Sequence, residues 1–307
     1  MFEGAQRDRV TAERPSVTTM QLEQTTRLTH ELERIVLARI EADRLVVPSM
    51  PVIATRCLAL LRDPDFATRK LVIQLEADPV LAALALRQAN SAANGTAVKL
   101  LDQAVTRLGA EAMKVLVTSY AAHQLFQSTD RRIAQANKRI WEHSVAVALL
   151  SRDLATAAGS GEADVCYLGG LLHDVGKPVL ASMMLEAERK LGAGRAGWID
   201  HAAWVDAVGA AHRRVGTAVA TQWNLPAEVT AAIRDCSDYD ADDRACAANV
   251  VRLANALAKR EGLATGPARA EEVDAMIEEG RAMIGVRDDV LAQLVDGLQS
   301  RVTQALG

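Results

Sequence analysis

Aromatic residues are scarce, 3% of a chain in which half the residues are hydrophobic. Leu, Ala and Val must therefore supply most of the core, and Ala-rich surfaces pack closely as helix on helix. Cysteine is sparse too. Cys57, Cys166, Cys236 and Cys246 stand far apart without a CxxC pair, which argues against a zinc knuckle or a disulfide framework and suits a reducing cytoplasm. Neither sign of charge prevails: 35 basic residues meet 39 acidic ones, a formal charge of -4. No basic field draws this chain to phosphate backbones, so nucleic acid is not an expected partner. No window approaches the ~18 uninterrupted apolar residues of a membrane helix, and the start, MFEGAQRDRV, lacks the apolar stretch of a secretion signal. The expectation is a soluble cytoplasmic protein with no membrane association. Sustained alternation of apolar and polar residues is missing as well, which predicts no sheet, and no fixed-period repeat is present.

What the chain does have is helical periodicity broken by Pro, Gly and Asp. Residues 1 to about 17 are polar, after which Leu22, Leu28, Leu32, Ile35, Val36 and Ile40 recur at helical spacing. Pro48 and Pro51 punctuate the next stretch, the second suiting the first turn of a helix that runs to Arg62. Asp78-Pro79 is an N-cap followed by a first-turn proline. The segment LLDQAVTRLGAEAMKVLVTSYAAHQLF predicts two helices broken at Gly109. A helix from Arg131 to Leu154 follows, then the loop AAGSGEAD and VCYLGGLLHDVGKPVL, and further helices at 201–222, 226–235 and 243–261. After the composition break GLATGPARA the last segment predicts two helices split near Gly285 to Asp289. The expected organisation is a polar, disordered start over 1–19, an N-terminal helical subdomain over 20–130, a second over 131–265 sharing a core with the first, and a helical extension over 266–307. The N-terminal helix and the C-terminal pair need apolar cover, which makes a homodimer a candidate assembly.

The sharpest chemical signal is LLHDVGK, residues 171–177, where His173 and Asp174 offer an imidazole and a carboxylate to one small volume. A divalent ion of hard or borderline character accepts such a mixed set. His143 lies on the preceding predicted helix, across the AAGSGEAD hairpin, so the two helices can face each other. The residues alone leave a plainer alternative: His143 as an interior histidine, Asp174 as a helix-terminal cap and Lys177 as a cation at a helix C-terminus. His123 reads as a core or boundary histidine, His30 and His201 as solvated, and Trp141, Trp204 and Trp223 as packing anchors without the Lys/Arg cluster of a stacking platform. Arg131-Arg132 and Lys138-Arg139 read as a solvated helix face.

Together WEHS (141–144) and LLHDVGK resemble the HD phosphohydrolase superfamily, in which a His, a His-Asp pair and a later Asp hold metals that activate water against a phosphoester. In that resemblance Lys177 neutralises phosphate, and Gly176 lets the chain turn through its freedom at positive φ. The wider pattern is similar to the HDOD family: Pro48 with Pro51, Asp78-Pro79, Ala89-Asn90-Ser91, Ala104 with Leu108-Gly109, the WEHS and LLHDVGK boxes, and AAHRRVGTAVATQWNLP at 210–226. The resemblance spans about 45–260 and implies an all-α, multi-helical HD-like bundle.

Departures from the pattern carry information. His212 matches a histidine that could add a ligand, the paired histidines that relatives often place after WNLP are replaced by Asp235-Cys236, and the closing Asp of catalytic relatives is Asn255. A neutral amide is a poor substitute for an anionic ligand. The resemblance thus implies a degenerate metal set of His143, His173, Asp174 and His212, with Lys177 and Asp235 as the residues to carry any residual catalysis. The ion would be Fe, Mn, Mg or Zn. The expected function is a non-catalytic signal-transduction output protein that binds a signalling partner or a nucleotide-type ligand. The alternative is a metal-dependent phosphohydrolase acting on a nucleotide or cyclic dinucleotide, against which the missing GYP segment counts for cyclic-di-GMP in particular.

Overall fold

The computed structural model describes residues 47–91, 97–190, 201–266 and 268–306, together with Ala38. The helix expected over 22–40 lies outside these residues apart from Ala38, as do His30 and the side chains of His201 and Trp204. The described residues form helices joined by short connectors, without a strand among them.

Local chemistry sets the early boundaries. Helix α1 (Val52–Leu61) starts behind Pro51, which serves as its N-cap. After α2 (Thr68–Glu76), α3 (Pro79–Ser91) opens where the Asp78 carboxylate accepts from the Val80 and Leu81 amides at 3.0 and 3.1 Å. The other Asp78 oxygen takes the Tyr120 hydroxyl of α4 (Leu101–Leu125), so one side chain both caps a helix and joins it to its neighbour. Asp78→Ala is therefore expected to cost about 1–2 kcal/mol in urea unfolding, with Asp78→Asn recovering part of the loss. Within α4, Gly109 at φ 73°, ψ 176° breaks the helical path, giving the two helical halves that the sequence predicts.

The second half of the chain builds the site. Helix α5 (Arg131–Ala157) is capped by Asp130 and packs along α6 (Ala163–Leu172). Glycines permit that approach: a Cβ on Gly170 would stand 2.7 Å from Ser151 Oγ and 2.9 Å from the Val147 carbonyl. Then come α7 (Gly176–Lys190), α8 (His201–Gln222), α9 (Ala227–Asp235) and α10 (Ala247–Arg260). Buried on nearly every side, α10 packs against α5, α6, α9 and α11 (Ala270–Ile284). One apolar cluster runs from Val47 to Val302 and includes residues of both expected subdomains. Trp223 sits within it and donates its indole N–H to the Pro48 carbonyl at 2.9 Å.

The C-terminal segment corrects the expectation of two helices. It forms three: α11, α12 (Asp288–Val295) and α13 (Leu298–Leu306). Gly297, at φ 65°, turns the chain between the last two, in a conformation that costs an L side chain more than it costs glycine. Among the described residues no helix is long and apolar enough to cross a membrane.

Candidate functional site

Three helices deliver three histidines to one carboxylate. His143 comes from the middle of α5, His173 caps the C-terminus of α6 with Asp174 next to it, and His212 comes from α8; all four side chains are buried. Each imidazole Nδ1 faces a backbone carbonyl: His143 that of Leu263 at 2.7 Å, His173 that of Gly170 at 2.7 Å, and His212 those of Gly209 and Val208 at 2.8 and 3.1 Å. A carbonyl only accepts, so each Nδ1 carries the proton and each Nε2 presents a lone pair.

Those lone pairs converge. His212 Nε2 lies 3.4 Å from Asp174 Oδ1, while His173 Nε2 and His143 Nε2 lie 3.5 and 3.9 Å from Asp174 Oδ2. Among the described residues the strong donor in contact is Lys177, whose ammonium meets Asp174 Oδ2 at 2.5 Å and donates to the Thr265 hydroxyl at 3.3 Å. His173 Nε2 is buried with no hydrogen-bond partner. Acceptors gathered this closely repel one another unless a cation or a donor sits between them.

Burial pushes the His143 imidazole down to about 3 and that of His173 to about 4, and it lowers His212 as well. The rings are therefore neutral at neutral pH, the form that coordinates metals. Burial alone would raise Asp174, but the positive charges around it, Lys177 and, where protonated in acid, His173, His212 and His143, outweigh it and hold the carboxyl well below the usual range. Both kinds of shift weaken the metal-free fold in acid. The unfolded chain takes up histidine protons as pH falls through ~6.5 while the folded chain refuses them. Chelated protein is accordingly expected to lose melting temperature steadily from about pH 6.5 to 4; a flat profile there would contradict neutral, buried imidazoles.

The donor set fits one divalent ion. His143, His173 and Asp174 offer ligand atoms that all lie within 4.8 Å of one another, and His212 joins through Asp174. Bonds of ~2.0–2.2 Å in a tetrahedral site separate ligand atoms by about 3.3–3.6 Å, so a modest contraction brings this set to coordinating distance. Carbonyl acceptors on the far nitrogen of each histidine are the usual outer support of a metal-bound imidazole.

The remaining expected residues fall in different places. Asn255 is buried on α10, and its Oδ1 has no hydrogen-bond partner. Asp235 is not brought into the cluster: at the end of α9 it is half exposed, with both oxygens on the Arg234 guanidinium at 2.7 and 2.6 Å. Its neighbour Cys236 is buried beside Arg213. Gly176 acts otherwise than expected. Its φ is not positive; a Cβ there would stand 1.8 Å from the His212 carbonyl oxygen and 2.9 Å from the Gly216 amide. Glycine is needed because α7 and α8 touch backbone to backbone, and that contact brings His212 to Asp174.

Sequence reasoning missed four participants. Lys259 stands one turn beyond Asn255, and burial, with Lys177, Arg213 and Arg252 near it, holds its ammonium below the usual range while Asp174 acts in the opposite sense. Arg213 follows His212 and keeps a buried Nε without a hydrogen-bond partner. The i, i+4 step from Asn255 could have pointed to Lys259. The Leu263 carbonyl and the Thr265 hydroxyl lie in a connector with no local motif. The reading of the tryptophans as packing anchors fits two of them: His123 and Phe126 pack tilted against Trp141 with ring centroids 4.8 and 4.9 Å away, and Trp223 is buried.

Comparison with known proteins bears on the fold and the family. An uncharacterized protein of Treponema pallidum (strain Nichols) is 30% identical over 205 residues, 64% of this chain, which spans only 39% of that relative. Among solved structures, a Shewanella amazonensis SB2B protein provisionally named a metal-dependent phosphohydrolase superposes with a TM-score of 0.70 at 23% identity, covering 90% of this chain and 99% of its own. An HDOD domain protein of unknown function from Geobacter sulfurreducens gives 0.60 at 21%, over 92% and 98%. A Marinobacter aquaeolei VT8 protein provisionally named a signal transduction protein gives 0.50 at 20%, over 93% and 68%. At these identities the structures speak to the fold alone. The family model of the HDOD domain matches residues 47–239, which include His143, His173, Asp174 and His212 and exclude Asn255; the chain belongs to the HDOD domain family.

Proposed function

We propose that this protein is a non-catalytic signal-transduction output module, whose pocket holds one divalent ion through His143, His173, Asp174 and His212 and recognises a phosphate-bearing ligand without hydrolysing it. The observation that carries this reading is that, among the described residues, Asp174 is the single carboxylate in the cluster and already shares one oxygen with Lys177. Asn255 offers only a neutral oxygen, so the anionic charge that would hold an ion firmly while its water falls from a pKa of ~15.7 towards ~7 is missing. Charge also supports the ligand class. Lys177, Lys259 and Arg213 outnumber the one carboxylate, and a divalent ion would widen that excess, which an anionic ligand offsets. The relative named for signal transduction is in keeping with an output role; the one named as a phosphohydrolase keeps the alternative in view.

Two assays on the purified protein test the reading. With Mn or Fe supplied, no turnover of bis(p-nitrophenyl) phosphate, nucleoside triphosphates or cyclic dinucleotides is expected. Clear hydrolysis abolished by His173→Ala would overturn the proposal in favour of a metal-dependent phosphohydrolase. In calorimetric titrations with the same nucleotides, Lys259→Ala is expected to weaken binding about tenfold or more, as loss of a charge-assisted contact does. Equal binding by wild type and variant would remove Lys259 from the ligand site.

A further inference from the structure

The connector between α10 and α11 is bonded to the site from outside it. The Leu263 carbonyl accepts the His143 Nδ1 proton at 2.7 Å, and the Thr265 hydroxyl accepts from Lys177 at 3.3 Å. Gly262, at φ 82°, turns the chain out of α10 so that these two residues reach the cluster. The other side of the connector is held by the C-terminal helices. Gln299 of α13 donates to the Glu261 carbonyl at 3.2 Å, and Arg301 of α13 pairs with Asp153 on α5, the helix that carries His143. Connector and helices alike lie beyond residue 239, where the family match ends.

The three histidines differ in what fixes them. His173 and His212 bond to carbonyls three or four residues back on their own helices, so any intact helix sets their tautomers. His143 takes its partner 120 residues away in the connector. If that carbonyl moves, nothing local keeps the proton on Nδ1. A proton transferred to Nε2 would occupy the lone pair that faces Asp174.

We propose that residues 261–265 are a positioning strap: the C-terminal helices, acting through it, set the tautomer of His143 and the placement of Lys177, and so tune the metal affinity of the pocket. The inference rests on the reading that His143, His173, Asp174 and His212 take a divalent ion. Coupling of this kind is reciprocal, so an ion in the pocket must also steady the strap and its contact with α13.

The test uses the whole chain, Mn2+ calorimetry, imidazole 15N spectra of the metal-free form and amide hydrogen exchange. Gly262→Val forces an L side chain into a left-handed backbone where a Cβ meets no other atom within 4 Å, so it disturbs the turn and spares packing. It is expected to mix the tautomers of His143 alone, leave His173 and His212 unchanged, and weaken Mn2+ binding about 10–100-fold, the usual effect of losing an outer-shell partner. Thr265→Val should weaken binding and Thr265→Ser should restore it. Gln299→Ala should speed exchange over 261–265 and lower affinity in the same direction, and it serves in place of Gly262→Val if that variant does not fold. The strap is overturned if the folded variants keep the wild-type His143 tautomer and exchange rates, or if all three histidines change alike. Should wild type itself take no Mn2+, the metal reading fails, and the strap is decided by the His143 tautomer and the exchange data alone.

Discussion

Gly176→Ala is expected to destabilise the protein by about 3 kcal/mol or more, the upper end of what overpacking costs. The added methyl would stand 1.8 Å from a backbone oxygen and 2.7 Å from its carbon, where no side-chain rotation relieves the clash. Either α7 and α8 separate or the His212 turn shifts, and both movements take His212 Nε2 away from Asp174. Loss of stability should therefore come with weaker Mn2+ binding. Gly209→Ala, on the same helix as His212 and with no atom within 4 Å of where the new methyl would stand, is the control, and it should be close to neutral. A fully stable Gly176→Ala protein would mean that the α7–α8 contact is not what positions His212.

The second large effect concerns where the negative charge sits. Asp174→Asn removes the carboxylate that the described residues give the cluster and leaves Lys177 beside neutral groups, so Mn2+ binding should fall more than about 100-fold, some 3 kcal/mol. The same change deprives a partly buried ammonium of its partner, so a loss of stability of similar size is expected as well. Asn255→Asp works in the opposite direction. It places an anion on α10 one turn before Lys259, and if that position faces the ion, calorimetry should report Mn2+ affinity raised about tenfold or more, since charge count tunes such sites. No gain in the Asn255→Asp variant would show that the amide position does not face the ion.

Helix order and most helix ends are legible in the sequence because they depend on local rules. Asp78-Pro79, Gly109 and the apolar periodicity of α5 and α10 each act within a few residues. Gly297 gives no such sign, because a lone glycine inside a periodic stretch reads as tolerated until its φ is known. The site is legible as far as its motifs reach. WEHS, LLHDVGK and AAHRRVG carry His143, His173, Asp174 and His212, and the fold brings the three imidazoles within 4 Å of the Asp174 carboxylate.

Contacts between distant segments are not legible. The partner of His143 is a backbone carbonyl, which any residue supplies, so Leu263 leaves no mark in the sequence. For Gly176 the residue is legible and its reason is not, since a positive φ and a close backbone approach select the same amino acid. Asp235 adjoins Cys236, which stands near Asp174 and Arg213, yet Arg234 holds Asp235 at the surface. A neighbouring opposite charge decides its direction, and that competition is invisible in a motif.

Anomalous diffraction from crystals grown with excess Mn2+ tests the central claim most directly, because it counts ions and names their ligands together. The expected result is one peak, bound by His143, His173, Asp174 and His212. Two peaks bridged by a water, with Asn255 or Asp235 drawn in as a ligand to the second, would contradict it.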